Sequence, residues 1–344
     1  MNKMELKRLC ALTGVSGREA AVRDYIEEQL SDCPCVEEKW IDPLGNLLVR
    51  VHGRQRAAKT VLFSAHMDEV GLIVTSITDE GYLTISPVGG VEPAVVYGKT
   101  VRVNGRPGII AGRAIHQCEG GEKNAVPAWD KLLIDIGVSS REEAESLVQP
   151  GDMASFEGEL TELGDHMCCG KALDDRAGCL LLLELIRRQP EYDLLAAFVV
   201  QEELGLRGAA VAGYTLRPDI ALTIETTTAA DMAGVPQAKQ VCRVGDGPVV
   251  SFMDSRTLYD VELYNRIREK AAEAGIPTQT KTTIAGGNDA GAYQQAGGGV
   301  KVAAVSLPCR YLHSPACVLS WQDMDSTQAL LCLLADTLPG GDFA

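Results

Sequence analysis

The chain has 344 residues, 46% hydrophobic and 23% charged, so it is long enough to bury a large core and to form about two domains. Acidic residues outnumber basic residues by 47 to 32, which gives a formal net charge of -15 at pH 7. This charge argues against nucleic acid and the anionic membrane surface as partners, because both would repel the protein.

In chain order, the first segments predict a helix followed by strands. The stretch GREAAVRDYIEEQLS, at 17–31, carries Val22, Tyr25, Ile26 and Leu30 at helical spacing. Two apolar runs, NLLVRVHG and KTVLFSAH, are typical of strands. No segment of this region is long and apolar enough to be a signal peptide or a membrane span, and we expect a cytoplasmic protein.

The segment between about 71 and 164 has a different pattern. Short β runs are interrupted by Gly, Asp-Glu-Gly and Asn-Gly turn signals, and little helix is predicted. We interpret it as a small β-rich module inserted into an α/β domain. The predicted domains are therefore a first part of the α/β domain at 1–70, the insertion at 71–164 and a second part at 165–344.

After the insertion, helices and strands alternate again. Alternation of apolar strands with helices predicts a mostly parallel sheet that is covered on both faces. The predicted segments, in order, are the helix LDDRAGCLLLLELIRRQ, the strands LLAAFVVQ and DIALTIE, the helix LYDVELYNRIREKAAEAG, the strand VKVAAVSLP and the helix WQDMDSTQALLCLLADTL.

Eleven cysteines are scattered along the chain. No CxxC pair occurs, and the close pairs CPC and CC lack the spacing of a structural zinc site. We expect reduced, mostly buried thiols without a catalytic role.

Acidic residues and histidines follow the predicted strands at their carboxyl ends. They are His66 and Asp68, Glu202 and Glu203, Glu225, and His313. Ligands bind at that edge of an open α/β sheet, because loops converge there. Asp174 and Asp175 open the helix after the insertion and could join the cluster.

Such a cluster predicts a metal site. Two unit charges about 4 Å apart repel by roughly 4 kcal/mol at an effective dielectric near 20, and divalent cations would offset that repulsion. Imidazole and carboxylate ligands without a thiolate suit zinc, cobalt or manganese better than an iron–sulfur cluster or copper(I).

Each motif alone also has a structural explanation. A single His-x-Asp is often a hydrogen-bonded structural histidine, adjacent glutamates are usually solvated, and two aspartates at a helix start often act as a cap. Their joint placement at one sheet edge favours function. The other histidines, His52, His116 and His166, lack such neighbours, and we expect them to be surface or structural residues.

Five ordered blocks resemble the glutamyl/tetrahedral aminopeptidase family of dinuclear metallopeptidases. The blocks are SAHMDEVG, KALDDRAGC, QEELGLRGA, GGNDAGAY and RYLHSPACV. The resemblance implies a phosphorylase/hydrolase-like α/β catalytic domain with an inserted β-barrel dimerisation domain. It also implies removal of N-terminal residues from peptides with a free N-terminus, by a homo-oligomer that is a dimer or a tetrahedral dodecamer.

The resemblance further implies roles for residues of the matched blocks. His66 and Glu225 would bind one divalent metal, Glu203 and His313 would bind a second, and Asp174 would bridge both. Zinc is the favoured metal, with cobalt or manganese as alternatives. Glu202 would be the general base that takes a proton from the metal-activated water, and Asp68 would orient His66.

One block departs from the family pattern. Asn288 stands where the family usually has Thr, in a loop near the substrate, which leaves substrate preference open. Gly287, Asn288 and Asp289 are candidate substrate-binding residues. The segment 116–129 has no interpretation from the sequence, and no motif defines the preferred N-terminal residue.

Other functions remain open at this point. A metal-dependent amidase or deacylase acting on a small non-peptide amide would use the same chemistry. A glycoside hydrolase also needs two carboxylates, but it would not explain the histidines, and the 5% aromatic content offers no obvious sugar platform. A non-catalytic assembly protein would be expected to lack a ligand or the base.

Overall fold

The computed structural model describes residues 1–121 and 125–341. The α-helices are α1 Lys3–Ala11, α2 Ala20–Gln29, α3 Pro93–Val96, α4 Arg141–Glu145, α5 Leu173–Arg187, α6 Arg207–Leu216, α7 Val261–Glu273, α8 Ala290–Gln294 and α9 Trp321–Ala335. The strands are β1 Val36–Ile41, β2 Leu47–Val51, β3 Val61–His66, β4 Gly71–Ile77, β5 Leu83–Val88, β6 Thr100–Val103, β7 Arg106–Ala111, β8 Leu133–Asp135, β9 Met153–Phe156, β10 Thr161–Leu163, β11 Met167–Gly170, β12 Leu194–Val199, β13 Ile220–Thr228, β14 Val249–Val250, β15 Gln279–Thr280, β16 Lys301–Cys309 and β17 Cys317–Ser320.

The main sheet has a parallel centre. Across the described residues it has eight strands in the order β1-β2-β12-β3-β13-β16-β14-β15. Strand β3 runs parallel to β12 and β13, and β13 runs parallel to β16. Antiparallel pairs, β1 with β2, β2 with β12 and β14 with β16, flank this centre. The prediction of an α/β fold with a mostly parallel sheet is confirmed.

Helices cover both faces of this sheet. All of β12 is buried, and its alternate residues, starting from Leu194 and from Leu195, belong to two different core clusters. Successive side chains of a strand point to opposite faces, so both faces need a cover. Helices α1, α5 and α9 contribute to the first cluster, whereas α6 and α8 contribute to the second.

A closed barrel is inserted after β3. Among the described strands its order is β4-β5-β8-β7-β6-β9, and it has a hydrophobic core of its own. The barrel strands run from Gly71 to Phe156, inside the range 71–164 predicted for the insertion. The boundaries of the domains stay a prediction, and parts of the 116–129 segment and of the C-terminus lie outside the described residues.

The pairing state of the cysteines and the length of the helices agree with what the sequence predicts. All eleven cysteines are free, and seven of them are buried, so the prediction of unpaired, mostly buried thiols is confirmed. Within the described ranges, no helix combines the length and the apolar character needed to cross a bilayer.

Asn46 fixes the loop that follows β12. Its Nδ2 donates a hydrogen bond to the Gly208 carbonyl oxygen, and its Oδ1 accepts one from the Val200 N–H, both at 2.9 Å. The backbone approaches so closely here that a Cβ at Gly208 would collide with the Val200 carbonyl oxygen and lie 2.5 Å from Asn46 Oδ1. Because this loop carries Glu202 and Glu203, the contact with Asn46 positions the backbone from which both side chains extend.

Gly208→Ala is expected to destabilise the protein by about 1–3 kcal/mol, because the added methyl group has no space. Gly298→Ala is the matched control, since a Cβ there would meet no atom within 4 Å, and its effect should stay within about 0.5 kcal/mol. Urea unfolding followed by circular dichroism measures both. Equal stabilities for the two variants would contradict close packing at Gly208.

Candidate metal centre

Two histidines and three carboxylates meet at the carboxyl edge of the main sheet. His66 ends β3, Glu203 follows β12, Glu225 lies in β13, His313 follows β16, and Asp174 lies at the start of α5. Their ligand atoms form two groups, and within each group all atoms lie within 4.8 Å of one another. One group is His66, Asp174 and Glu225, and the other is Asp174, Glu203 and His313.

Asp174 belongs to both groups. Its Oδ1 lies 3.3 Å from His66 Nε2, and its Oδ2 lies 3.4 Å from His313 Nε2. Glu225 Oε1 lies 3.4 Å from His66 Nε2, and Glu203 Oε1 lies 3.5 Å from His313 Nε2. The Asp174 carboxylate therefore lies between two pairs of side chains, His66 with Glu225 and His313 with Glu203. A carboxylate that bridges two metal ions needs this arrangement.

Burial strongly affects ionisation in this cluster. Burial, and then the Asp174 carboxylate, raises the pKa of Glu203 to about 8. Burial raises the pKa of Glu225 to about 7, although His66 opposes the shift. Burial also disfavours ionised Asp174, but hydrogen bonds from His313 and His66 hold the pKa of Asp174 well below its usual range. The protein alone therefore disfavours the ionised form of both glutamates, which a bound cation would favour.

The donor set fits divalent cations. Within the described residues, Glu225 Oε2 is buried without a hydrogen-bond partner, which costs about 1–3 kcal/mol unless a ligand satisfies it. Imidazole nitrogens and carboxylate oxygens suit zinc, cobalt and manganese, and they do not select among these metals. The five residues could hold two cations that share Asp174.

Asp68 positions the residues around it. Its Oδ1 accepts a hydrogen bond from the Glu202 N–H at 3.0 Å, and its Oδ2 accepts from the Glu203 N–H at 3.1 Å and from Ser16 Oγ at 2.6 Å. His66 Nδ1 lies 3.1 Å from the Asp68 carbonyl oxygen and 3.4 Å from its Oδ1. One buried carboxylate therefore connects the first histidine to both glutamates.

A buried ion network supports the backbone next to His66. Lys171 Nζ lies 2.9 Å from both carboxylate oxygens of Glu69, and Arg176 Nη2 lies 3.4 Å from Glu69 Oε1. The Arg176 guanidinium also donates to the carbonyl oxygens of Met67 at 2.8 Å and Leu9 at 2.6 Å. These contacts join the end of β3 to α1 and α5.

The barrel reaches the centre through His313. His313 Nδ1 lies 3.0 Å from the carbonyl oxygen of Gly90, which follows β5 of the barrel. A Cβ at Gly90 would lie 3.1 Å from the same nitrogen. His313 has φ 56°, in the left-handed region that few non-glycine residues adopt. The contact orients the imidazole so that Nε2 faces Asp174 and Glu203.

A cavity of about 330 Å³ opens beside these residues. Glu202, Gly287 and Asn288 line it, together with the five candidate ligands. Asn288 Nδ2 also donates a hydrogen bond to the Tyr259 hydroxyl oxygen at 3.1 Å. Asp289 is fully buried and does not line the cavity, so of the three candidate substrate residues only Gly287 and Asn288 reach it.

Two basic residues in the cavity wall were not identified from the sequence. Lys281 and Arg256 both line the cavity. They lie in separate segments after β15 and β14, and neither segment carries a motif or a hydrophobic period. No local signal could have identified them, because long-range packing brings them to the site.

Comparison with known proteins gives a consistent family. A profile of M42 glutamyl aminopeptidases matches residues 45–330. The lysyl aminopeptidase of Pyrococcus furiosus is 32% identical, covering 98% of this chain and 98% of its own. The glutamyl aminopeptidase of Lactococcus lactis is 30% identical, covering 97% and 96%. A solved structure of the Pyrococcus horikoshii TET1 peptidase matches with a TM-score of 0.85 and 33% identity. The match covers 97% of this chain and 99% of that chain, and that peptidase can assemble into a tetrahedron or a large octahedral shell.

Replacing single ligands is expected to change metal content selectively. His313→Ala should retain about one of two zinc equivalents after dialysis, whereas Asp174→Asn should retain less than one, because Asp174 takes part in both groups. His52→Ala, at a half-exposed histidine that does not line the cavity, is the control and should retain two. Plasma mass spectrometry measures the content. Two equivalents in His313→Ala would contradict its role as a ligand.

Proposed function

The chain belongs to the M42 glutamyl aminopeptidase family and is a hydrolase that acts on peptides, and from that premise we propose a two-metal aminopeptidase with Glu202 as its general base. The observation that carries the proposal is the position of Asp174 between two sets of histidine and glutamate donors. A carboxylate shared by two cations would hold both of them close enough to act on one substrate.

Each metal would be held by one histidine and one glutamate in addition to Asp174. His66 and Glu225 would hold the first, and Glu203 and His313 would hold the second. When bound, the cations would lower the pKa of water, polarise the scissile carbonyl group and bind the free α-amino group of the peptide. The proposal includes zinc, cobalt and manganese as one class of metals and does not select among them.

Glu202 would move the proton. Its side chain lines the cavity, and no hydrogen bond holds its carboxylate among the described residues, whereas Glu203 faces His313. Asp68 fixes the backbone of both glutamates, so one side chain can hold a metal while its neighbour stays free. The Glu202 carboxylate would take a proton from the attacking water and return it to the nitrogen of the leaving amine.

A homo-oligomer is also proposed. The TET1 peptidase of Pyrococcus horikoshii can assemble into a tetrahedron or a large octahedral shell, and the likeness to it extends over 97% of this chain. In this chain the barrel would serve as the dimerisation domain, and dimers could close into a tetrahedral dodecamer. Light scattering of the purified protein separates a dimer from a dodecamer.

The substrate side chain is a separate question. The two relatives named above are called lysyl and glutamyl aminopeptidases, so family membership alone selects neither charge. A deacylase of small amides would share the metal chemistry, and blocked substrates distinguish it from an aminopeptidase.

Metal removal provides the test of the proposed function. Protein stripped with a chelator is assayed on aminoacyl p-nitroanilides, free and N-acetylated, before and after zinc, cobalt or manganese is added. We expect hydrolysis to return with metal and only for free amino groups. Release of p-nitroaniline from acetylated substrates at equal rates would show an amidase that needs no free amino group, release of acetate would show a deacylase, and hydrolysis without any metal would contradict the mechanism.

Glu202→Gln is expected to lower kcat by about 10²–10⁴-fold, because the amide cannot accept the proton. The variant should keep both metal equivalents, since Glu202 is outside both ligand groups. Glu28→Gln, at an exposed position in α2, serves as the control and should match the unaltered protein. Turnover of Glu202→Gln at the parental rate would show that another group is the base.

A further inference from the structure

Arg256 lies where two cavities meet. It lines the cavity beside the candidate metal centre, and it also lines a second cavity of about 390 Å³ against α6 and α8. Gly205 and Leu206, which follow the two adjacent glutamates, line both cavities as well. Lys281, the other basic residue of the first cavity, does not line the second. Arg256 is therefore the positive charge at the junction.

The guanidinium group of Arg256 is free to bind a ligand. Within residues 1–121 and 125–341 it makes no hydrogen bond and no ion pair, and the printed contact of this residue is made by its backbone N–H. The side chain is exposed. A guanidinium carries five N–H donors in a planar fork that matches a carboxylate with two parallel hydrogen bonds.

The backbone of Arg256 is fixed although its side chain is free. The Arg256 N–H donates to Asp254 Oδ1 at 2.8 Å, and the Ser255 N–H donates to the Gly286 carbonyl oxygen at 2.8 Å. A Cβ at Gly287 would collide with Arg256 Cγ, so the glycine allows the arginine to lie across this loop. These contacts hold the base of the side chain at the junction.

Charge at the junction favours an anion against the general trend of the molecule. The chain has a net charge of -15, which repels anions. Among the residues that the structure describes, Arg256 is the only charged residue in the lining of the second cavity. An anionic group that enters this cavity therefore meets a positive charge and no acidic side chain of the wall.

The second cavity adjoins the first on the side of Gly205 and Leu206, next to the proposed base Glu202. A peptide whose amino group lies at the candidate metal centre extends away from it by about 3.3–3.6 Å per residue. The part of the peptide beyond the scissile bond can therefore lie along this junction. In a short peptide that part ends in a carboxylate within a few residues.

We propose that Arg256 binds the C-terminal carboxylate of short peptide substrates, while the leaving part of the peptide occupies the second cavity. The assignment rests on the proposed aminopeptidase function, because the amino group of the substrate must lie at the metal centre. The ligand class is di-, tri- and tetrapeptides with a free C-terminus. The N-terminal side chain plays no part in it.

The test uses metal-loaded protein and peptides that differ only at the C-terminus. The N-terminal residue is the one whose p-nitroanilide is hydrolysed fastest, and one, two or three alanines follow it, as free acids and as C-terminal amides. Chromatography measures the initial release of the N-terminal residue. We expect kcat/KM of the acid to exceed that of the amide by about tenfold at one of these lengths, and by less at the others.

Arg256→Met removes the charge and keeps an extended side chain. We expect its acid-to-amide ratio to fall to about one or below at every length, whereas Arg256→Lys should keep part of the preference. Arg268→Met, at an exposed arginine of α7 outside both cavities, is the matched control and should keep the full ratio. Because each ratio compares two substrates of one variant, a loss of folded or metal-loaded protein cancels. An unchanged ratio in Arg256→Met would overturn the assignment.

Two further outcomes separate this inference from the proposed function. Hydrolysis of the anilides with acid-to-amide ratios near one in the unaltered protein would overturn the carboxylate site and leave the aminopeptidase function intact. If neither anilides nor peptides are hydrolysed, calorimetric titration with alanine peptides of the same three lengths and their amides decides. Tighter, Arg256-dependent binding of the acids would then support the site while the proposed function fails, and equal binding of acids and amides would overturn both.

Discussion

The carboxylates of Asp174, Glu202, Glu203 and Glu225 are buried together at one edge of the main sheet, and their mutual repulsion must be offset. A pair of such charges about 4 Å apart repels by roughly 4 kcal/mol at an effective dielectric near 20. Two histidines offer partial compensation, and divalent cations would complete it. Much of the surrounding structure holds these groups in place against that repulsion, including the hydrogen bonds of Asp68 to the backbone of both adjacent glutamates.

The topology explains how distant segments reach one site. The parallel strands β12, β3, β13 and β16 are neighbours, so the residues at their carboxyl ends converge although they are more than two hundred positions apart in the chain. The barrel is inserted directly after β3, and Gly90 beyond its second strand contacts His313. The insertion therefore helps to orient a candidate ligand from the far end of the chain. In an oligomer built through the barrel, assembly and the site would be structurally connected.

Much of this arrangement could be predicted from the sequence because the central strands are continuous apolar runs whose ends carry His, Asp or Glu. Other elements lack such a signal. Strand β1, VEEKWI, has no fully buried residue, and β10 and β11 have three or four residues each. Asp289 and Asn288 are adjacent in sequence, yet only Asn288 lines the cavity, because the chain turns into α8 between them. Lys281 and Arg256 are recognisable as a pair only when the packed cavity is known.

Anomalous X-ray diffraction from crystals of the metal-loaded protein, recorded at the absorption edge of the bound metal, tests the shared role of Asp174 most directly. A two-metal centre should give two anomalous peaks in each subunit, about 3.5–4 Å apart, with Asp174 between them. His66 and Glu225 should contact one peak, and Glu203 and His313 the other. A single peak, or a pair of peaks that does not contact Asp174, would contradict a two-metal centre built on a shared carboxylate.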